Sequence, residues 1–180
     1  MNLNDKQVKL IQDYRDKSYI LNVLMCRSYE RFNLIKVLTN IPIILSSSIM
    51  AILNSSSFDG NEMRLPNIII NSITAMVLGM TANFNVSEKE VLFQGLSHKF
   101  LKLCHQIEDD LTNNLELIQK EEIQEHIKNY DLLIEQIVHP IPKDIQNKVK
   151  LIYKSSGRCL PAFLNCEQKF VTEGEIGNIV

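Results

Sequence analysis

Residues 37–86 read VLTNIPIILSSSIMAILNSSSF, then DGNEMR, then LPNIIINSITAMVLGMTANFNV, and this stretch decides the fold. The two longer runs, residues 37–58 and 65–86, contain no Asp, Glu, Lys or Arg, although charged residues make up 22% of the chain. A helix rises about 1.5 Å per residue, so each run reaches about 33 Å, and the hydrocarbon core of a bilayer is about 30 Å thick. Each run therefore predicts one helix that crosses a membrane.

The connection between the two runs, residues 59–64, is short and polar. Its Asp59, Gly60 and Asn61 are residues that favour turns, so the two runs predict an antiparallel transmembrane hairpin over residues 37–86. Basic residues cluster outside the hairpin: Arg15, Lys17, Arg27, Arg31, Lys36, Lys89, Lys99 and Lys102. The connection has Arg64 alone. The positive-inside rule then places both termini in the cytoplasm, or on the internal face of a virion membrane.

A buried helix pair inside a soluble bundle is the alternative interpretation, because both runs contain Ser, Thr and Asn. Helices on the surface of a soluble bundle usually carry one polar, charged face. Two runs of this length without a charged residue leave no such face, which favours the membrane.

The segments that flank the hairpin predict an all-α cytoplasmic bundle. Residues 1–36 have apolar positions at steps of mostly three and four, which predicts an amphipathic helix. Its other face mixes acidic and basic residues, which favours a core-packing helix over one that lies on a membrane surface. The helix either continues into the first span without a break or has a cap or a kink at Pro42.

Residues 87–156 predict further helices of that bundle. Ser87 and Glu90 have the spacing of a capping box, so a helix either starts there or continues from the second span. An apolar stripe then runs through the following residues: Leu92, Leu96, Phe100, Leu103, Ile107, Leu111, Leu115 and Ile118. A second stripe runs from Ile123 to Ile137, and Pro142 predicts the start of a last helix. Residues 157–180 form the tail, which is expected to dock loosely or to contact a protein partner.

Composition and motifs exclude several classes of function. The net charge of −2 gives no electrostatic reason to bind nucleic acid. His98, His105 and Asp109 share a helix face, but seven residues separate the histidines by about 10 Å, too far for one metal ion. No nucleotide loop or catalytic motif is present. The sequence therefore predicts no enzyme, no cofactor and no metal site, and its predicted partners are the lipid bilayer and further copies of the chain.

Two faces of the second run are candidate functional surfaces. One has polar residues around a leucine and is a candidate pore lining: Asn67, Asn71, Thr74, Leu78, Thr81 and Asn85. The other has small residues, which let membrane helices approach closely: Ser72, Ala75, Gly79 and Ala82. The polar face either lines a water-filled path in an oligomer, with Leu78 as its constriction, or joins the two helices of one hairpin.

The order of several short stretches resembles the SLATT domain family of two-span membrane proteins. The stretches are YERF at 29–32, IPIILS at 41–46, FNVSEK at 84–89, LSHKFLKL at 96–103, IE at 107–108, YDLLI at 130–134 and PIP at 140–142. The resemblance covers about residues 15–155 and implies an oligomeric, pore-type protein that perturbs membranes. A structural anchor, which links the lipid layer of a virion or an organelle to a protein shell, is the rival prediction.

Overall fold

The structure is a computed structural model that describes residues 5–55, 64–113 and 120–165. These residues form helices and their connections, without a strand, so the predicted all-α class is confirmed. The helices are α1 (Asp5–Ser55), α2 (Arg64–Asn83), α3 (Val86–Asn113), α4 (Lys120–Glu135), α5 (Lys143–Lys154) and the single turn α6 (Ala162–Asn165). The predicted turn at 59–63, the end of the stripe at Leu115 and Ile118, and the tail beyond residue 165 lie outside the described residues.

Helix α1 joins the predicted amphipathic segment and the first uncharged run in one element. Its 51 residues correspond to a length of about 76 Å. Pro42 lies inside the helix and so removes one backbone hydrogen bond, to the carbonyl of Leu38, without ending the helix. The sequence left open whether the helix would be interrupted at Pro42, and the structure shows that it continues.

Helix α3 packs antiparallel along the first half of α1. The Ser97 hydroxyl donates a hydrogen bond to the side-chain oxygen of Asn22 at 2.7 Å. One turn earlier in α3, the rings of Phe93 and Phe32 stack with their centroids 5.6 Å apart. Residues later in α1 thus meet residues earlier in α3, which defines the antiparallel direction.

Helices α4 and α5 complete a four-helix arrangement with α1 and α3. The Tyr130 ring of α4 meets the edge of Tyr14 at 5.1 Å and also contacts Phe100 at 6.3 Å, between centroids. Helix α5 follows Pro142, as predicted, and its Tyr153 contacts Tyr19 of α1. Aromatic rings therefore join all four helices in one core.

The core is built from the predicted stripes, with one shift in register. The stripe positions that are buried are Leu96, Phe100, Leu103, Ile107 and Leu111 on α3, with Ile123 and Tyr130 on α4. Phe93 is fully buried, whereas the predicted Leu92 is only half-buried. In the tail, Leu160 and Leu164 are buried in the same core, so the described part of the tail docks on the bundle.

The junction between α2 and α3 differs from the predicted one. Helix α2 ends at Asn83, before the end of the uncharged run, and Asn85 adopts a left-handed conformation with φ of 48°. Asparagine tolerates this conformation better than most residues. The Lys89 amide donates to the Asn85 carbonyl at 3.1 Å, so α3 starts directly after Asn85. Ser87 lies within the first turn of α3 and is therefore not the N-cap that its spacing with Glu90 predicted.

Candidate functional site

The two apolar helices, α2 and the second half of α1, pack against each other away from the bundle. The hydroxyls of Ser46 and Thr74 are 2.9 Å apart. Ser46 lies nine residues before the end of α1, and Thr74 lies ten residues after the start of α2, so the contact joins α1 to the middle of α2. A cleft of about 170 Å³ opens between them, with a lining that is mostly aliphatic: Pro42, Ile43, Leu45, Ser46, Ile49, Ile70, Ile73, Thr74 and Val77.

The surface of this helix pair is exposed although it is apolar. Both helices are long and apolar enough to cross a membrane, and none of the residues in their most apolar windows is buried. Large apolar side chains are exposed on both helices: Leu38, Ile41, Ile44, Leu45, Ile49, Ile52, Leu65, Ile68, Ile69, Ile73, Met76, Leu78 and Met80. The core helix of a soluble bundle would bury such side chains, and here no part of the described chain covers them.

The structure divides the predicted pore-lining face into two parts. Asn67, Thr74 and Thr81 are half-buried on the side of α2 that faces α1. Asn71 and Leu78 are exposed. The sixth member, Asn85, lies in the turn after α2 and does not belong to the face. Two of the six residues therefore remain on an unpartnered surface of α2 itself.

The hydroxyl groups inside the helix pair already have hydrogen-bond partners. Thr74 donates to the Ile70 carbonyl at 2.9 Å, and Thr81 lies 3.2 Å from the Val77 carbonyl. Serines 46–48 bond in the same way to carbonyls one turn earlier in α1. Backbone carbonyls thus satisfy these groups without water, which accounts for hydroxyls in an apolar helix pair. The Asn71 side-chain NH2 group donates to the Asn67 side-chain oxygen at 2.6 Å, and Asn71 as a whole is exposed.

The predicted small-residue face lies outside the helix pair. Ser72, Ala75, Gly79 and Ala82 are all exposed and do not form the contact with α1. A Cβ atom added at Gly79 would meet no atom within 4 Å. Within one chain, the absence of a side chain at Gly79 therefore has no packing reason.

A belt of charged side chains separates the apolar helix pair from the bundle, and the sequence analysis did not predict it. Lys36 of α1 pairs with the nearly buried Glu90 of α3 at 2.5 Å. The Lys89 ammonium group donates to the Phe84 carbonyl at 2.8 Å and so covers the end of α2. His139, in the α4–α5 connection, lies 3.5 Å from Glu88. The one signal in the sequence was that Lys36 and Glu88 directly flank the uncharged stretch.

The bundle places the remaining candidate side chains apart from one another. His98 and His105 are exposed, and no group of three His, Cys, Asp or Glu residues in the described ranges is placed to hold a metal ion. Cys26, Cys104 and Cys159 are free thiols. Burial raises the pKa of the Cys104 thiol to about 11. A thiol with so high a pKa is a poor nucleophile at neutral pH.

Comparison with known proteins returns no match: no family model, no curated protein and no solved structure is similar to this chain.

Proposed function

We propose that the chain is an integral membrane protein in which α2 and the second half of α1 form a transmembrane hairpin. The observation that carries this proposal is the exposed aliphatic surface of the helix pair, which covers both helices and ends at the charged belt. Helix α2 has 20 residues and is therefore about 30 Å long, the thickness of the hydrocarbon core. Backbone hydrogen bonds and hydroxyl groups are satisfied within the pair, as lipid requires.

The bundle of α1, α3, α4 and α5 lies on one side of the membrane in this proposal. Helix α1 enters the membrane from the bundle and α3 returns to it, so the first half of α1 and all of α3–α5 share that side. The basic residues that flank the hairpin outnumber the single Arg64 of the connection, which assigns the bundle to the cytoplasmic side.

The proposed activity is that of an oligomeric, pore-type membrane component, and it is supported by the unpartnered residues of α2. Asn71 presents an amide to the outside of the pair, which in lipid is unfavourable unless another helix or water meets it. Ala75 and Gly79 form a small-xxx-small pair on the outer side of the same helix. A second copy that packs on this seam brings Asn71 and Leu78 to a shared interface. The resemblance to two-span SLATT proteins supports the same assignment.

Leakage of ions or dye from proteoliposomes tests the pore. If Leu78 is the apolar constriction, Leu78→Asn increases leakage, because a wetted constriction no longer excludes ions. Met76→Asn is the matched control, since Met76 is also apolar and exposed but lies on another side of α2. Asn71→Leu is expected to lower leakage while insertion stays the same. Equal leakage from Leu78→Asn and Met76→Asn would contradict the assignment of Leu78.

A structural anchor is the second candidate, and the hydrogen bonding of the hydroxyl groups favours it. Thr74, Thr81 and the three serines of α1 are satisfied inside one hairpin, so they do not require a water-filled path. If neither wild type nor Leu78→Asn releases dye at matched protein density, the pore is excluded. The anchor then stands alone, and stoichiometric copurification of the chain with a membrane-bearing particle tests it.

A further inference from the structure

The connection between α4 and α5 exposes an apolar tip at the membrane end of the bundle. Val138 is 70% exposed, which is unusual for a valine in a short connection between two packed helices. The neighbouring Ile137 and Ile141 are directed into the core, whereas Pro140 is exposed beside Val138. The bundle therefore fixes both ends of this connection and leaves its apolar tip uncovered.

Two contacts fix the height of this tip relative to the apolar helix pair. His139 lies 3.5 Å from Glu88, which is only three residues, or about 4.5 Å of helix rise, beyond Asn85 at the end of the α2–α3 turn. On the other side, Lys36 is the last charged residue of α1 before its uncharged half and pairs with Glu90. Both apolar helices thus leave the bundle at the level of the contact between His139 and Glu88.

We infer that the Val138 tip is a third membrane contact, which inserts into the boundary between lipid headgroups and acyl chains and fixes the bundle against the bilayer. The inference rests on the proposed transmembrane hairpin, since the hairpin defines where the lipid lies. The occupant is lipid rather than protein because the tip is level with the belt of Lys36, Lys89 and Glu88, where a spanning helix pair meets the headgroups. Side chains that combine apolar tips with nearby charges are typical of this interfacial layer.

Phe84 gives the tip a neighbour of the same character at the same level. Its ring is 65% exposed at the end of α2, and Lys89 caps its carbonyl. Phenylalanine together with lysine is typical of segments that lie in the membrane interface. Phe84 therefore supports the same lipid boundary that we infer for the Val138 tip.

The test uses tryptophan fluorescence, because the wild-type chain contains no tryptophan. Val138→Trp is reconstituted into phosphatidylcholine vesicles whose acyl chains carry bromine, either near the headgroup or near the chain end. Met76→Trp in α2 is the control for insertion, because Met76 is 65% exposed and lies on another side of α2 from Leu78. Leu151→Trp is the matched surface control, because Leu151 is 73% exposed on α5 but lies near Tyr153 and Tyr19, toward the other end of the bundle.

We expect emission from Val138→Trp to shift to the blue and to lose intensity most strongly with bromine near the headgroup. Met76→Trp should be quenched most strongly by deep bromine, and Leu151→Trp by neither lipid. If Met76→Trp is quenched but Val138→Trp behaves like Leu151→Trp, the tip does not touch lipid and this inference is wrong, while the hairpin stands. If Met76→Trp is not quenched, the transmembrane hairpin itself is wrong, and the inference is overturned with it.

Discussion

At the scale of single residues, the charged belt shows how a carboxylate can be buried next to the proposed transmembrane helix pair. Glu90 is 8% exposed and would be strongly unfavourable there without a counter-charge. The Lys36 ammonium group at 2.5 Å supplies that charge from the neighbouring helix. Lys36 is also the residue at which α1 changes from charged to uncharged, so one side chain marks the boundary and stabilises it.

Replacing Lys36 by Met is expected to lower the free energy of unfolding by about 2 kcal/mol, because Glu90 then lacks a partner. The double variant Lys36→Met, Glu90→Leu should recover most of this loss, since it removes the buried charge as well. Chemical unfolding of the full chain in detergent micelles measures both. Arg27→Met is the control, because the Arg27–Glu30 pair is exposed and its loss should cost less than about 0.5 kcal/mol. Equal losses for Lys36→Met and Arg27→Met would contradict the stabilising role of the belt.

The buried thiol of Cys104 should make the folding stability of the protein depend on pH in the alkaline range. Burial raises its pKa to about 11 in the folded chain, above the ordinary value of 9.0, and burial also raises the pKa of Tyr130. A group whose pKa is raised on folding stabilises the folded state fully below its unfolded pKa, and this contribution is lost as pH rises. Thermal unfolding should therefore show a melting temperature that falls between about pH 9 and pH 11.

The variant Cys104→Ala isolates the contribution of the thiol. It should lower stability at pH 7 through lost packing, because Cys104 is buried in the core. Its melting temperature should then fall less steeply than that of wild type between pH 9 and pH 11. The same slope in both proteins would assign the alkaline loss to the tyrosines instead.

At the scale of elements, the sequence predicted helices well where a periodic apolar stripe or a proline defined them. Helix α5 starts after Pro142, and the stripe of α3 supplies most of its buried residues. The prediction from the sequence was wrong at the α2–α3 junction. The left-handed conformation of Asn85 depends on the close contact between two helices, and it leaves no periodic signal in the sequence. The capping-box spacing of Ser87 and Glu90 was misleading because Glu90 pairs with Lys36 across the core.

The candidate site was predictable only in part, for a related reason. Spacing alone placed Asn67, Thr74 and Leu78 on one side of α2. Which part of that side faces α1 depends on the rotation of α2 about its axis, and the Ser46–Thr74 contact sets this rotation. A single sequence contains no information on such a long-range pair.

Tyr130 is the element-scale test of how α4 docks. Truncation by Tyr130→Ala removes contacts with both Tyr14 and Phe100 and should cost about 3–4 kcal/mol. Leu132→Ala, at a side chain that is 46% exposed on the same helix, should cost less than about 1 kcal/mol. Unfolding of the full chain compares the two, and similar costs would show that α4 docks through another face.

Gly79 is the corresponding test for the seam on α2. Because a Cβ at Gly79 meets open space, Gly79→Leu fits the single chain without strain. It should nevertheless weaken the oligomer, since leucine prevents close approach of a second helix. Crosslinking in detergent measures this, with Gly95→Leu as the control, because Gly95 has the same open surroundings on α3, outside the proposed span. An oligomer that tolerates Gly79→Leu would remove this seam from the interface.

At the scale of the whole molecule, the proposed hairpin places the bundle and the connection on opposite sides of the bilayer. In a chain whose four cysteines are replaced by alanine, single cysteines are introduced at Leu151 and at Asn61. An impermeant maleimide added to sealed vesicles should label one of them from outside, and the other only after the vesicles are opened. Labelling of both positions from one face would exclude the hairpin.

The uninterrupted course of α1 has a consequence for how motion would pass through the protein. An α-helix resists twisting, so α1 sets a fixed rotational phase between the bundle and the membrane half, whereas the second link, at Asn85, is a two-residue turn. One alanine inserted between Lys36 and Val37 would rotate the two halves by about 100° relative to each other, while four would return them to within about 40°. The four-residue insertion should therefore preserve the leakage of ions or dye from proteoliposomes better than the one-residue insertion. A rotation of the bundle about the axis of α1 would then be transmitted by this helix to the far side of the bilayer.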